Sequence, residues 1–148
     1  MFWGAFGWNG VTNLCEMGPH SKSEDYQQVL QNILLPVATV IGGRGWIFQQ
    51  DNCRIHTSRS TKNWLDGKKV RLSPWPAKSP DLNPIENLWG IVTRRVYCHG
   101  KQYSSKQELV QAIRNEWNSL PLDLLQSLIT SMKTRIFKTI KANGGNFV

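Results

Sequence analysis

Two acidic residues are typed and spaced so that they could hold a metal ion. Asp51 closes the apolar run Trp46-Ile47-Phe48-Gln49-Gln50, and Glu86 stands inside the segment SPDLNPIENLW at 79–89. Thirty-four residues, 52 to 85, separate them. Carboxylate oxygens are hard donors that suit Mg²⁺, an ion that keeps several of its waters. Two such ions about 3.5–4 Å apart can clamp the attacking and leaving oxygens of a phosphodiester. Each acid also has a plainer reading. Glu86 lies three residues after Asn83, where a glutamate closes a helix capping box. Asp51-Asn52 reads equally well as a turn pair.

The elements that must place these acids follow from local patterning. Residues 1–18 read as two short strands, with Asn9-Gly10 as the hairpin signal. Ser23 is a candidate N-cap, Glu24 and Asp25 suit the positive end of the helix dipole, and Tyr26, Val29, Leu30, Ile33 and Leu34 recur at helical spacing. Pro36 ends or kinks that helix, and the GGRG run at 42–45 is a loop. Trp46–Gln50 reads as a short buried strand. Asp51 then sits at its carboxyl end, where ligands collect in open α/β sheets. A short polar helix over Thr57–Leu65, a turn at Asp66-Gly67 and a minimal strand over Val70–Leu72 follow.

Pro80 and Pro84 fix two φ angles and make a stiff bend, Asn83 is a good N-cap, and Pro84 suits the first helical position. Ile85, Leu88, Trp89, Val92 and Val96 form one apolar face of the helix that begins there. Asp81 stabilises the turn before it. Ser105 and Glu108 pattern as a capping box for a helix through Leu109, Ala112, Ile113 and Trp117. A last helix starts near Pro121, buries Leu125, Leu128, Ile129, Met132, Ile136 and Ile140, and ends at Asn143-Gly144-Gly145. The pattern is a mixed α/β domain, with sheet and core over about residues 1–103 and C-terminal helices over about 104–148. Trp64, Trp75, Trp89 and Trp117 read as core rather than as base-stacking platforms.

A chain of 148 residues, 40% hydrophobic with seven tryptophans, can bury a core. Its apolar runs fall far short of the ~20 residues that span a bilayer, and no signal peptide is seen. Cys15, Cys53 and Cys98 are odd in number and form no CxxC pair, and the histidines do not fall at zinc spacing with them. Free thiols in a reducing compartment are the expectation, and a zinc centre is not. The net charge is +8. Residues 52–78 hold seven Lys and Arg against Asp66 alone, and residues 94–148 hold nine against three acids. Arg54, Arg59, Lys62, Lys78, Arg94 and Arg95 are candidate phosphate contacts, although such charge also makes an ordinary soluble surface.

The residues QQDN, then His56-Thr57-Ser58, then WPAKSPDLNPIENLW resemble the catalytic half of Tc/mariner-type transposases, which carry a DDE or DDD metal triad on a ribonuclease H-like fold. The resemblance extends from FWGAFGWNGVTNL at the start to the C-terminal helices, and the 34-residue gap matches the Tc branch. It implies a cut-and-paste DNA transposase that binds terminal repeats, hydrolyses phosphodiesters at transposon ends and joins 3′-hydroxyls to target DNA in the nucleus. Asp51 would match the second triad acid and Glu86 the third, together holding Mg²⁺ or Mn²⁺, two ions in the complete site. Asn52 and His56 match positions that support the second acid. Cys53-Arg54-Ile55 departs from the acidic, proline-containing stretch common in relatives. The implied partners are double-stranded DNA and a second copy or full-length transposase. Rival readings are a DNA-binding or oligomerising remnant without catalysis, and a nuclease of the same fold acting on RNA–DNA hybrids.

Nothing in this sequence matches the family's first triad aspartate or its paired helix-turn-helix region, and the chain opens inside an apolar strand pattern. The expectation is a truncated or decayed copy that does not cut DNA efficiently by itself. The ribonuclease H-like sheet would then lack its central first strand, leaving buried backbone groups that cost about 1–3 kcal/mol each when unpaired. The isolated chain is therefore expected to aggregate or to melt without cooperativity unless another segment supplies that strand. A sharp, reversible thermal transition of the purified protein would contradict this.

Overall fold

In the computed structural model, which describes residues 1–76 and 79–142, the aromatic start of the chain folds back on itself. Strand β1 (Phe2–Trp3) pairs antiparallel with β4 (Cys15–Glu16), and β2 (Phe6–Gly7) pairs with β3 (Gly10–Val11). Gly7 faces Gly10, so the tip is Trp8-Asn9, one residue earlier than the expected Asn9-Gly10 turn. Between the two ladders Thr12 donates its N–H to the Ala5 carbonyl at 2.8 Å. Its hydroxyl accepts the Ala5 N–H at 3.0 Å, so a side chain stands in for a missing ladder carbonyl. Thr12 is buried with these groups satisfied.

The hairpin tip docks on α2 (Ala38–Gly42), where Asn9 donates its N–H to Ile41 O at 2.9 Å and its side-chain amide to Val40 O at 3.2 Å. The contact requires glycine at position 7, since a Cβ there would lie 2.4 Å from Ile41 O. Helix α1 (Ser23–Val29) begins one residue earlier than expected. Lys22 is its N-cap position, and the Asp25 carboxylate accepts the Lys22 N–H at 2.7 Å. Ser23 is not the cap; its hydroxyl donates to Ser58 Oγ at 2.8 Å. The helix widens into a π turn over Leu30–Leu34, closed by Leu35 N–H to Leu30 O at 2.9 Å. Pro36, with no N–H to continue the ladder, ends it.

Tyr26, Val29, Leu30 and Leu34 from the expected stripe are buried with Met17, Ala38, Phe48 and Leu65, and Ile33 packs at their margin. Trp46–Gln50 is not a full strand. Among the described residues only Phe48 of this segment is bridged, parallel to Leu72, through Phe48 N–H to Arg71 O and Ser73 N–H to Phe48 O, both 2.8 Å. Phe48 is 8% exposed and Ile47 58%, so the segment is buried on one face only. The expected helix over Thr57–Leu65 becomes a single turn, α3 (Arg54–Thr57), followed by α4 (Arg59–Gly67). Ser58 caps α4 by accepting the Thr61 N–H at 3.1 Å. Asp66 and Gly67 finish that helix, and the reversal comes at Lys69, whose φ is +56°.

These elements form one compact unit, Met1–Pro80; Asp81–Val148 form a second, which holds Glu86 together with the C-terminal helices. In the second unit α5 (Pro84–Val96), α6 (Lys106–Asn118) and α7 (Leu122–Lys141) surround Leu82, Leu88, Val92, Val96, Trp117, Leu120 and Leu125. Asn83 Oδ1 accepts the Ile85 N–H at 3.2 Å, as its cap role requires, and Ser105 Oγ accepts the Glu108 N–H at 3.2 Å. The Glu108 carboxylate returns to Ser104 rather than Ser105. Trp117 is fully buried and stacks on Trp89 at 4.9 Å.

The last helix departs from expectation. Leu125 is buried, but Ile136 and Ile140 are 48% and 68% exposed. A 20-residue helix is about 30 Å long and outruns the 13-residue α5 beside it. The Asn143-Gly144-Gly145 cap and Lys78 lie outside the described residues. Among those residues, no helix is long and apolar enough to cross a membrane.

Three substitutions test this packing. Gly7→Ala is expected to cost about 1–3 kcal/mol by urea unfolding, through overpacking against α2. Gly67→Ala, with open space around its Cβ position, is expected to be neutral or to add about 0.4–1 kcal/mol. Trp117→Ala should lose about 3–5 kcal/mol.

Candidate functional site

Asp51 follows the bridged Phe48 by three residues and heads the loop that becomes α3. Its Oδ1 accepts the Cys53 N–H at 3.0 Å, an Asx turn, and lies 2.5 Å from His56 Nδ1. An ionised carboxylate only accepts, so Nδ1 carries the shared proton. The Asp51 side chain is 54% exposed and that of His56 only 16%. The acid therefore faces water while its hydrogen-bond partner is held in the protein.

His56 is held from beneath. Its ring stacks on Tyr26 at 4.1 Å, and Tyr26 is fully buried. The Tyr26 hydroxyl donates to Gln50 Oε1 at 2.7 Å, and Gln50 Nε2 donates to His56 O at 3.2 Å. Burial pushes the Tyr26 phenol well above the ordinary tyrosine range, and the nearby Asp51 charge pushes the same way. Both effects keep the hydroxyl neutral, so it stays a donor. Thr61, also fully buried, donates its hydroxyl to Ile55 O at 2.7 Å and fixes the other side of the turn.

Asn52 ties the loop to the proline-rich segment by donating Nδ2 to Trp75 O at 3.3 Å. Cys53 is exposed and occupies the N-cap position of α3. One ligand atom from each of Asp51, Cys53 and His56 lies within 4.8 Å of the others. Cys53 is the candidate that sequence reasoning missed, since it belongs to no cysteine pair. The D-x-C-x-x-H spacing, with a carboxylate as the third donor, was the signal available.

Glu86 stands on the second unit, in the first turn of α5. The capping-box alternative fails for its side chain: Asn83 caps the helix, while the Glu86 carboxylate is exposed and makes no hydrogen bond among the described residues. Asp51 belongs to the first unit, so each acid has its own scaffold. Arg54 and Arg59 open α3 and α4, Lys62 lies on α4, and all three are exposed; Arg94 and Arg95 are exposed in the last turn of α5. Asp81 acts through its backbone, since its carbonyl accepts from Arg135 at 3.0 Å.

Residues 4–110 match the family model described as DDE superfamily endonuclease. The chain belongs to that family. Within it the chain is of the Tc/mariner transposase type. It is 42% identical over 144 residues to the Tc3 transposase of Caenorhabditis elegans, covering 97% of this chain and 44% of that protein. The Tc1 transposase of the same organism is 35% identical, with 97% and 52% covered. The chain thus spans about half the length of the curated relatives it matches. The Mos1 mariner transposase catalytic domain superposes with a TM-score of 0.75 at 17% identity, covering 100% of this chain and 82% of that one. A Mos1 paired-end complex with the left transposon end gives 0.83 at 21%, covering 98% and 44%. The fold of this family member is therefore ribonuclease H-like, as the motif resemblance implied.

Tyr26→Phe isolates the support beneath His56. Below about pH 10 the phenol is neutral in folded and unfolded chains alike, so its contribution to stability is whole. Above that pH the unfolded chain releases the proton first, and stability falls as pH rises. Urea midpoints measured from pH 8 to 11 should therefore drop more steeply for the natural protein than for Tyr26→Phe. Parallel slopes would contradict the assignment.

Proposed function

We propose that this chain carries part of the metal-binding catalytic surface of a cut-and-paste DNA transposase. The reaction would be hydrolysis of phosphodiesters at transposon ends, followed by transfer of the freed 3′-hydroxyls into target DNA. The observation that carries the reading is the state of Asp51. Its carboxylate is fixed through Oδ1 by Cys53 and His56, yet the side chain is half exposed.

The donor set fits a hard divalent ion. Asp51 Oδ2 lies outside the two bonds that fix Oδ1, and the Glu86 carboxylate is exposed on a helix whose start is set by Asn83 and Pro84. Asp51 and Glu86 would hold Mg²⁺ or Mn²⁺, and solved Mos1 catalytic domains are described with each ion. When bound, such ions activate water or a 3′-hydroxyl and stabilise the departing oxygen. His56 keeps Asp51 in one orientation, as partners of metal-bound carboxylates commonly do. Asn52 anchors the loop to Trp75. Arg54, Arg59 and Lys62 on one unit, and Arg94 and Arg95 on the other, would contact DNA phosphates. A second copy or a full-length transposase is the protein partner this reading implies, and the nucleus is its compartment.

Manganese titration by electron paramagnetic resonance tests the metal site. Asp51→Ala and Glu86→Ala should each abolish tight binding, and His56→Ala should weaken it about 10–100-fold. DNA binding, read by fluorescence anisotropy against salt, should survive all three substitutions, while Arg59→Ala should lower the salt slope by about one. Salt-sensitive DNA binding with no manganese binding would favour the non-catalytic reading. Loss of both would sink the proposal.

A further inference from the structure

We propose that Asp51, Cys53 and His56 together bind one borderline-soft divalent ion of the zinc class. The site needs no other residue of the chain and is independent of Glu86. Three donors of three kinds, a carboxylate oxygen, a thiol sulfur and an imidazole nitrogen, stand within 4.8 Å of one another. In a tetrahedral zinc site such donors lie roughly 3.4–3.6 Å apart, given Zn–S near 2.3 Å and Zn–N and Zn–O near 2.1 Å. Small side-chain rotations bring the donors to that spacing and open the 2.5 Å contact between Asp51 Oδ1 and His56 Nδ1, exchanging their hydrogen bond for the ion. Three protein ligands leave the fourth position for water.

The cluster is preorganised rather than a chance meeting of surface side chains. Cys53 and His56 flank one helical turn, closed by His56 N–H to Cys53 O at 2.9 Å. Asp51 is held to the same turn by the Cys53 N–H at 3.0 Å. The His56 ring rests on the buried Tyr26 ring. Cys53 itself is exposed and reduced, so nothing has to unfold for an ion to reach it.

Ligand chemistry separates this ion from the one proposed above. Magnesium takes oxygen donors and gains nothing from a thiol or an imidazole. Zinc-class ions are selected by those two donors, and mixed N/O/S sites bind them far more tightly than they bind magnesium. Binding through His56 Nδ1 sends the Cys53 thiol proton to water, moves the imidazole proton from Nδ1 to Nε2, and spends the Asp51 carboxylate. Resting on the function proposed above, the consequence is that a zinc-class ion takes Asp51 away from magnesium or manganese and acts as an inhibitor.

The probe is Co²⁺ alone, added to the purified 148-residue chain in the presence of excess Mg²⁺. One equivalent should produce a thiolate-to-cobalt charge-transfer band in the near ultraviolet, bleached by equimolar Zn²⁺. The band should vanish in Cys53→Ser and persist in Cys98→Ser and in Glu86→Ala. In His56→Gln and Asp51→Asn the cobalt affinity should fall at least about tenfold, with circular dichroism used to confirm that each variant is folded. Absence of the band, or a band that survives Cys53→Ser, would overturn the site. Zn²⁺ should also displace bound Mn²⁺ from the natural protein but not from Cys53→Ser. Failure of that displacement would overturn the inhibitory consequence alone. A cobalt band from a protein that binds no Mn²⁺ would instead refute the transposase metal reading and leave the zinc-class site standing.

Discussion

The buried phenol of Tyr26 sets the orientation of Asp51 without touching it. The Tyr26 ring carries the His56 ring, and the His56 Nδ1–H holds the carboxylate. The Tyr26 hydroxyl reaches the same turn a second way, through Gln50 and the His56 carbonyl. A tyrosine from α1 thus supports a distant loop from both its face and its edge. The hydrophobic cluster around Tyr26 is what keeps it fixed, since Val29, Leu30, Leu34, Phe48 and Leu65 belong to the same buried core. Core packing and acid placement are in this unit the same structural problem.

The second acid is positioned by different means. Asn83 and Pro84 set the first turn of α5 locally, one by a hydrogen bond and the other by its fixed φ. Arg135 then secures that turn from α7, donating to Asp81 O at 3.0 Å and to Asn87 Oδ1 at 2.8 Å. Trp89 and Trp117 stack behind it and hold α5 against α6. Glu86 therefore stands on a rigid helix start while its own carboxylate is uncommitted among the described residues. That is the condition a metal ligand needs, because a carboxylate already spent on a cap would have to be released first.

Under the two proposals above, the Asp51 carboxylate belongs to two donor sets. In the proposed Mg²⁺ or Mn²⁺ site the chemistry is oxygen only and hard. Toward Cys53 and His56 it is mixed and softer. The second set depends on Cys53, which the first does not use.

Much of the molecule is legible in the sequence. The Asn83-Pro84 helix start, the Ser105 cap, the Tyr26 to Leu34 stripe and the family motif around Asp51 and Glu86 all rest on local rules, in which caps, proline geometry and a 3.6-residue period act over a few residues. Other features need contacts between distant segments. Trp46–Gln50 carries a strand-like pattern, yet only Phe48 finds a partner, because a ladder exists only where a second backbone runs beside it. The Thr12 hydroxyl that replaces a ladder carbonyl, and the exposed end of the α7 stripe, depend on which neighbours lie within reach. The cluster of Asp51, Cys53 and His56 lies open in the sequence as a spacing. Only the turn that folds Cys53 back toward Asp51, and the Tyr26 ring that carries His56, make it a site. The sequence alone determined the family, and its motif marked Asp51 and Glu86 as the acids of the proposed metal site. The tertiary structure decided what holds each acid in place, because those supports come from residues far apart in the chain.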